Sequence, residues 1–279
     1  MESTEPSATE RTELDRPPVG RGRPIAEAAA LVVGGAAAVI AVLVAAGLVT
    51  THLLVHSVGS WDDHVNNWFA RHRTSTDNTI TADFTLLANT MGIVAVAAVV
   101  ALIAAVRHHL RLAIALVIAL GVELVGFLLT NMIVARPRPH VSHVGSTPST
   151  FSWPSGHVAA TLVLYGGVAL VVAMVTRRPA VRILAWTLPV ILVPCVALSR
   201  IYRGDHHPTD AVAGLILGVA ALAVGFAAVR AWSLASAGGQ RTTDVADRRP
   251  PSVPAPVPFP AARGASTHGP VGAGKSRSA

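Results

Sequence analysis

The fold is decided by the stretch from residue 110 to residue 139, LRLAIALVIALGVELVGFLLTNMIVARPRP. Its apolar part, 110–134, contains only two charged side chains, Arg111 and Glu123. A helix needs about 17–25 predominantly apolar residues to cross a bilayer. The run therefore predicts a transmembrane helix that ends in an arginine- and proline-rich segment at a membrane surface.

Runs of the same kind recur through the rest of the chain, at 26–50, 85–106, 158–176, 181–198 and 209–232. The chain is 52% hydrophobic and 13% charged, whereas soluble domains carry about 25% charged residues. A soluble all-α core would show polar stripes at the helical period, and these runs lack them. We therefore expect an all-α polytopic membrane protein, a bundle of six transmembrane helices over residues 25–235.

The two ends of the chain differ in composition from this bundle. Residues 1–24 and 236–279 are rich in Pro, Gly, Ser and Arg, a composition typical of disordered tails. The first apolar run begins after a charged tail and is too long for the apolar part of a signal peptide, so we expect no cleaved signal. Cys195 is the single cysteine and lies in an apolar run, which excludes a disulfide within the chain and a cysteine-based zinc site.

Arginines distinguish the two sides of the predicted bundle. Six crossings put both tails on one side, and that side carries Arg11, Arg16, Arg21, Arg23, Arg107, Arg111, Arg177, Arg178 and Arg182. The positive-inside rule places this side, with both termini, in the cytoplasm. The formal net charge of +7 is spread over tails and short loops rather than gathered in a basic domain, so we expect no nucleic-acid partner.

A shorter segment between the first two spans is amphipathic. Its apolar residues Trp61, Val65, Trp68 and Phe69 recur at helical spacing, and its other face carries Asp62, Asp63, His64, Asn66 and Asn67. The pattern fits a helix that lies in the outer membrane interface. It fits equally a loop helix packed on the bundle.

Three motifs lie at the ends of the apolar runs. They are Ala135-Arg136-Pro137-Arg138-Pro139, Trp153-Pro154-Ser155-Gly156-His157, and Ser199-Arg200 followed by His206 and Asp210. All three fall in the outward loops between helices three and four and between helices five and six, so we expect one site at the extracytoplasmic face. Arg138 and Arg200 are a candidate clamp for phosphate, because a guanidinium stays charged and matches phosphate oxygens.

The second motif predicts a helix start that binds an anion. Pro154 and Ser155 favour the first turn of a helix, and Gly156 lets the backbone approach a ligand closely. The free N–H groups of a helix start favour negative charge. His157 would then stand beside the phosphate, placed to protonate a leaving group.

The third motif predicts a nucleophile. His206 and Asp210 are four residues apart, the spacing that puts two side chains on one helical face. An aspartate that accepts a hydrogen bond from one imidazole nitrogen frees the other nitrogen to attack phosphorus. The adjacent His207 has Ala211 at the same offset and is expected to be a bystander.

The motifs Arg138-Pro139, Pro154-Ser155-Gly156-His157 and Ser199-Arg200-x5-His206-x3-Asp210 resemble the three signatures of the type 2 phosphatidic acid phosphatase family. That family shares its phosphatase core with vanadium haloperoxidases, and the resemblance covers roughly residues 60–220. It implies a phosphohistidine intermediate on His206, oriented by Asp210, with His157 as the general acid. It also implies phosphate ligands at Arg138, Ser155, Gly156 and Arg200, and neither a metal ion nor a cofactor.

One position departs from the family pattern. The first signature has a lysine seven residues before the arginine that matches Arg138, and this chain has Asn131 there. The only lysine, Lys275, is in the C-terminal tail. We therefore expect Arg136 as the nearest electrostatic substitute, and Asn131 and Arg136 become further candidate phosphate ligands.

Glu123 lies in the third apolar run, about 12 Å of helix rise from Asn131. A carboxyl at bilayer depth is costly and is usually paired or functional. Two roles stay open, namely a hydrogen bond to another helix and the handling of substrate or protons.

These residues predict an integral membrane lipid phosphatase of the cell envelope. The expected substrate is an amphiphilic phosphate in the outer leaflet, either a polyprenyl diphosphate such as undecaprenyl diphosphate, or phosphatidic acid and related phospholipids. One alternative is a phosphotransferase with a sugar or inositol acceptor. Another is a non-catalytic membrane scaffold or transporter with a decayed site, whereas a soluble haloperoxidase fits poorly with six spans.

Overall fold

The computed structural model describes residues 22–146 and 149–247, which form nine α-helices and no β-strand. Three π-helical turns, Val49–Leu53, Val55–Gly59 and Leu162–Gly166, join or interrupt them. The helices are α1 Gly22–Leu48, α2 Ser60–Arg71, α3 Ser75–Leu87, α4 Thr90–Val106, α5 Leu110–Val134, α6 Gly156–Thr161, α7 Gly167–Val175, α8 Pro179–Tyr202 and α9 Pro208–Asp247.

The helical segments match the predicted membrane spans. Among the described residues, five segments are long and apolar enough to cross a bilayer: Pro24–Leu53, Leu110–Val134, Gly156–Val175, Pro179–Tyr202 and Pro208–Ser236. A sixth arises if α3 and α4, which meet at an angle of 43°, are taken as one bent span. The predicted all-α membrane bundle is therefore confirmed, with five to six spans.

The predicted span at 85–106 is interrupted rather than continuous. Ala88 follows the end of α3, and Asn89 has an extended backbone with φ −65° and ψ 136°. The side-chain oxygen of Asn89 accepts the N–H of Met91 at 2.9 Å and so caps α4. Asparagine is a preferred N-cap residue, and this cap is the local reason why the chain bends there.

Both terminal helices extend past the predicted limits at residues 25 and 235. The first begins at Gly22 and the last runs to Asp247. The chain divides into two compact units, Met1–Gln240 and Arg241–Ala279, and the described residues of the second, 241–247, are helical. The remaining parts of the predicted tails, 1–21 and 248–279, lie outside the described residues.

α9 packs closely against the start of α6 because glycines face it. A Cβ atom on Gly214 would lie 2.4 Å from the carbonyl oxygen of Ser155, and one on Gly218 would lie 3.0 Å from that of Ala159. Small residues let helix backbones approach in membrane bundles. The approach brings the second and third motifs together, since the N–H of Ser155 donates to the carbonyl of Asp210 at 2.9 Å.

The outer surface of the bundle is apolar. Leu102, Ile183 and Leu184 are 65%, 68% and 68% exposed. Extended apolar surface of this kind is unfavourable in water and marks a membrane or partner surface. Together with the spans, it supports a multi-pass membrane protein.

α2 packs on the bundle through its polar face. Asp62 and Asn66 are completely buried, whereas Trp61 and Trp68 are about half exposed. The amide of Asn66 donates to the carbonyl of His206 at 3.0 Å. Of the two interpretations of this segment, the structure supports the helix packed on the bundle, with its tryptophans on the outside.

Candidate active site

His206 lies in the turn between α8 and α9, with its ring buried. Its Nδ1 is 2.7 Å from the carbonyl oxygen of Ser152. A carbonyl can only accept a hydrogen bond, so Nδ1 carries the proton and Nε2 keeps its lone pair. The tautomer that a nucleophilic histidine needs is therefore set by the backbone of the loop before α6.

Asp210 lies beside the His206 ring, but farther from it than the hydrogen bond that the sequence predicts. The distance from its Oδ2 to Nδ1 of His206 is 3.8 Å, too long for a hydrogen bond. The carboxylate instead accepts from Arg136 at 2.6 Å, from the Ser152 hydroxyl, and from the backbone N–H of His207 at 2.7 Å. The helical-spacing argument fails because α9 begins only after His207.

His207, which the sequence predicts to be a bystander in catalysis, is a hydrogen-bond partner of Asp210. Its Nδ1 lies 3.1 Å from Oδ2 of Asp210, and its Nε2 lies 3.7 Å from a carboxylate oxygen of Asp63. The prediction that it lacks a carboxyl partner is wrong, because the partner is three residues along the chain and not four. Of the two adjacent histidines, His206 lines the cavity described below.

Arg136 forms a buried bridge between α2 and the start of α9. Its two terminal nitrogens lie 2.8 Å from Asp62 and 2.6 Å from Asp210, and it also donates to Thr209 at 2.8 Å. Burial by itself would lower the pKa of Arg136, but Asp210 and Asp62 raise it above the usual range. The guanidinium of Arg136 is thus paired with two carboxylates. It is not directed to the phosphate in place of the missing lysine.

Asn131 fixes the loop that precedes α6 through hydrogen bonds to its backbone. Its amide nitrogen donates to the carbonyls of Phe151 at 2.9 Å and Trp153 at 3.0 Å, and its oxygen accepts the N–H of Phe151 at 3.1 Å. The side chain is 3% exposed. These three hydrogen bonds direct the Asn131 side chain to the backbone on either side of Ser152. They do not direct it to a phosphate, as the sequence had suggested.

Arg138 and Arg200 line one cavity with His157 and His206, as predicted for a phosphate clamp. Arg138 donates to backbone carbonyls of the loop before α6 and of Asp205. Arg200 pairs with the Asp205 carboxylate at 3.0 Å, and its buried Nε has no partner among the described residues. Buried donors are normally satisfied, so this Nε, on a residue that lines the cavity, is a candidate donor to a bound anion.

The predicted helix start occurs at Gly156, with Ser155 in the N-cap position. The Ser155 hydroxyl does not cap the helix; it is buried without a hydrogen-bond partner in the described part of the chain. A Cβ atom on Gly156 would lie 3.0 Å from the ring of Phe127. Glycine therefore lets α6 begin against α5, and His157 follows in the cavity wall.

The cavity has a volume of about 510 Å³ and two unlike ends. The polar end holds the two arginines and two histidines named above. The rest runs between α4 and α5, and its apolar lining includes Val94, Ala97, Ala101, Leu116, Leu120 and Leu124. Such a cavity suits a phosphate attached to a long apolar chain.

Electrostatics keep the candidate nucleophile neutral. Burial, the largest effect, lowers the pKa of His206; Asp210 opposes this shift, and Arg200 and Arg138 add to it. A neutral imidazole retains the lone pair that attack on phosphorus requires.

Sequence reasoning missed four residues that build the site: Asp62, Asn66, Ser152 and Asp205. The i, i+4 spacing of Asp62 and Asn66 was the one available signal that a polar helix face was buried. Ser152 carries no such signal, because it holds His206 through its backbone carbonyl. Asp205 falls at an unspecified position of the third motif.

All three motifs lie within the stretch of the chain that resembles a known protein family. The PAP2 superfamily model matches residues 110–233. A crystal structure of a transmembrane PAP2 type phosphatidylglycerolphosphate phosphatase from Bacillus subtilis superimposes with a TM-score of 0.57 over 70% of this chain and 92% of that one. The two sequences are 20% identical, so this likeness concerns the fold.

Two curated relatives are similar to part of this chain. The decaprenylphosphoryl-5-phosphoribose phosphatase of Mycobacterium tuberculosis is 38% identical over 93 residues, 32% of this chain and 46% of the relative. The undecaprenyl-diphosphatase of Sulfolobus acidocaldarius is 31% identical over 126 residues, 43% of this chain and 56% of the relative. The chain thus spans about half the length of the curated relatives it matches.

Proposed function

We propose, from the match of residues 110–233 to the PAP2 superfamily model, that this chain is an integral membrane phosphatase that releases phosphate from an amphiphilic lipid phosphate or diphosphate. One observation carries the proposal. The cavity that holds Arg138, Arg200, His157 and His206 continues into an apolar groove between α4 and α5. The cationic end fits the phosphate, and the groove fits the chain of a lipid.

The clamp would hold the non-bridging oxygens of the phosphate. Arg200 offers its unpartnered Nε, Ser155 its unpartnered hydroxyl, and the start of α6 its free N–H groups. Arg138 adds a positive charge that its carbonyl contacts leave unneutralised. These donors would stabilise the charge that develops on the phosphoryl oxygens in the transition state.

Attack would come from Nε2 of His206. As the N–P bond forms, the bond from phosphorus to the leaving oxygen breaks, and His157 gives a proton to that oxygen. Water then attacks the phosphohistidine while His157 takes one of its protons; the N–P bond breaks and inorganic phosphate leaves. The hydrogen bond from Nδ1 to Ser152 keeps His206 in the correct tautomer throughout.

The proposed substrate class is a phosphate or diphosphate carried by a polyprenyl chain, either directly or through a sugar linker. Both curated relatives described above are named for such substrates, decaprenylphosphoryl-5-phosphoribose and undecaprenyl diphosphate. The apolar lining of the groove is compatible with an unbranched or prenyl chain alike. Phosphatidic acid and related phospholipids are the competing substrates.

We also propose that both termini are cytoplasmic and that the cavity opens to the extracytoplasmic side. The arginines of the tails and of the loops on the same side support this orientation. Single cysteines in the 140–146 loop should be labelled by an impermeant reagent on intact cells, and cysteines at 178–180 should not. The reversed pattern would refute the orientation.

The decisive experiment is phosphate release by detergent-purified protein from a panel of lipid phosphates and diphosphates. We expect turnover, and we expect His206→Ala to abolish it. Turnover should survive EDTA because the arginines supply the stabilising charge, and vanadate, a five-coordinate phosphate mimic, should inhibit it. Absence of turnover on the whole panel would refute the phosphatase proposal. Strict dependence on an added metal ion would refute the mechanism.

A further inference from the structure

Glu123 is a carboxyl in an otherwise apolar part of the cavity. It lies in the middle of α5, is 6% exposed, and lines the same cavity as the phosphate clamp. Across the groove stand small side chains of α4, Ala97, Ala98 and Ala101. No hydrogen bond or ion pair to Glu123 is found within residues 22–146 and 149–247, so a structural link to another helix does not explain it.

The depth of Glu123 relates it to the part of a ligand next to the phosphate. Phe127, which packs on Gly156 at the helix start, marks the level of the clamp. Glu123 is one helical turn below, about 6 Å along the axis of α5. Leu120 and Leu116 follow deeper in the groove. A ligand whose phosphate sits in the clamp would therefore pass Glu123 with the first few atoms that join the phosphate to its chain.

A hydroxyl group is the hydrogen-bond partner that fits the Glu123 carboxyl in either protonation state. A hydroxyl both donates and accepts, so it pairs with a carboxylate or with a protonated carboxyl. An ammonium group would suit only the carboxylate, and an ester carbonyl only the protonated form. A plain alkyl or prenyl segment would leave the buried carboxyl unpaired, which is costly at bilayer depth.

We infer that Glu123 is a specificity-determining residue, which hydrogen-bonds a hydroxyl group on the linker between the phosphate and the apolar chain of the substrate. The inference rests on the proposed function, because it takes the clamp as the phosphate site. It assigns to this chain a preference for lipid phosphates with a polyol or sugar linker over those whose phosphate is attached directly to the chain.

A matched pair of substrates tests this inference. One is a single-chain glycerol ether phosphate with a free hydroxyl, and the other is its deoxy analogue with the same chain. A buried polar group left without its hydrogen-bond partner costs about 1–3 kcal/mol. We therefore expect the wild-type protein to prefer the hydroxylated substrate by about 5–150-fold in kcat/KM.

Three variants identify the group responsible. Glu123→Leu should bring the preference close to one, because the hydroxylated substrate loses its hydrogen bond and the deoxy substrate no longer leaves a buried carboxyl unpaired. Glu123→Gln, whose amide donates and accepts, should retain most of the preference. Leu124→Ala alters the same groove and should change both substrates by the same factor. Equal rates for the two substrates in the wild-type protein, or an equal fall for both in Glu123→Leu, would overturn the inference.

Binding separates this inference from the proposed function. Thermal stabilisation of the purified protein by each lipid gives its relative affinity without turnover. A binding preference that disappears in Glu123→Leu, with no phosphate release from either lipid, would support the role of Glu123 and refute the phosphatase. Phosphate release without any preference would do the reverse.

Discussion

Replacing Asn131 tests whether this residue holds the loop or contacts phosphate. In Asn131→Leu, a side chain of similar size fills the space, but the carbonyls of Phe151 and Trp153 and the N–H of Phe151 lose their partner. The Trp153 carbonyl bond is buried, so its loss should cost about 1–3 kcal/mol. The two Phe151 groups are partly accessible to water and should cost about 0.5–1.5 kcal/mol each.

The expected loss is therefore about 2–6 kcal/mol in the free energy of unfolding. Even its lower limit corresponds to a fall of about 4–8 °C in Tm for a domain of this size. Catalysis should suffer too, because the loop carries the Ser152 carbonyl that orients His206. A misplacement of about 1 Å can cost on the order of 100-fold in rate, so we expect kcat to fall by about 10–100-fold.

Thermal unfolding and phosphate release of detergent-purified protein measure both effects. Thr130→Val is the matched control, since the neighbouring Thr130 hydroxyl is buried without a partner in the described structure and its removal should change little. Asn131→Lys separates the two roles of the position. A lysine can donate to the carbonyls but cannot accept the N–H of Phe151, so it should lower stability without raising kcat/KM.

A rise in kcat/KM in Asn131→Lys would refute this reasoning. It would mean that a cation at position 131 reaches the phosphate, as the family pattern suggests. If Asn131→Leu were as stable and as active as the wild-type protein, the role of Asn131 in fixing the loop would be refuted.

Three further experiments probe the rest of the site. His157→Ala should slow a lipid phosphate with a poor leaving group far more than an activated aryl phosphate, because only the poor leaving group needs a proton; an equal fall for both would exclude His157 as the general acid. His206 is active when neutral, and burial lowers its pKa. As the pH is lowered, kcat/KM should therefore stay unchanged past pH 6.5, the ordinary histidine pKa, and fall only at the lowered pKa of His206. A loss of half of kcat/KM above pH 6.5 would contradict this. Arg136→Ala removes the cation shared by two buried carboxylates and should cost about 3–5 kcal/mol of stability. Arg107→Ala, at an exposed position, should cost less than about 0.5 kcal/mol. Similar unfolding temperatures for the two variants would show that the buried bridge contributes little.

The spans and the composition of the polar end of the cavity could be predicted from the sequence alone. Apolar length is a local property, so runs such as 110–134 identify helices without knowledge of their neighbours. The orientation rule then put the three motifs in loops on one side, which is why Arg138, His157, Arg200 and His206 were expected together. The structure brings these four into one cavity.

Only the tertiary structure decided what each polar group contacts. Asp210 was assigned to His206 by helical spacing, but the helix begins after His207 and the carboxylate turns to Arg136 instead. Every residue has a backbone carbonyl, so the sequence does not reveal which carbonyl forms a functional hydrogen bond. The carbonyl of Ser152 nevertheless sets the tautomer of the candidate nucleophile.

The fate of Asn131 and Arg136 depended likewise on partners distant in sequence. Arg136 meets Asp62 across 74 residues, and Asn131 meets Phe151, which lies 20 residues later. A buried donor takes whichever acceptor the packing brings within about 3 Å. The residue types determine which bonds are possible, and the packing of the helices determines which of them form.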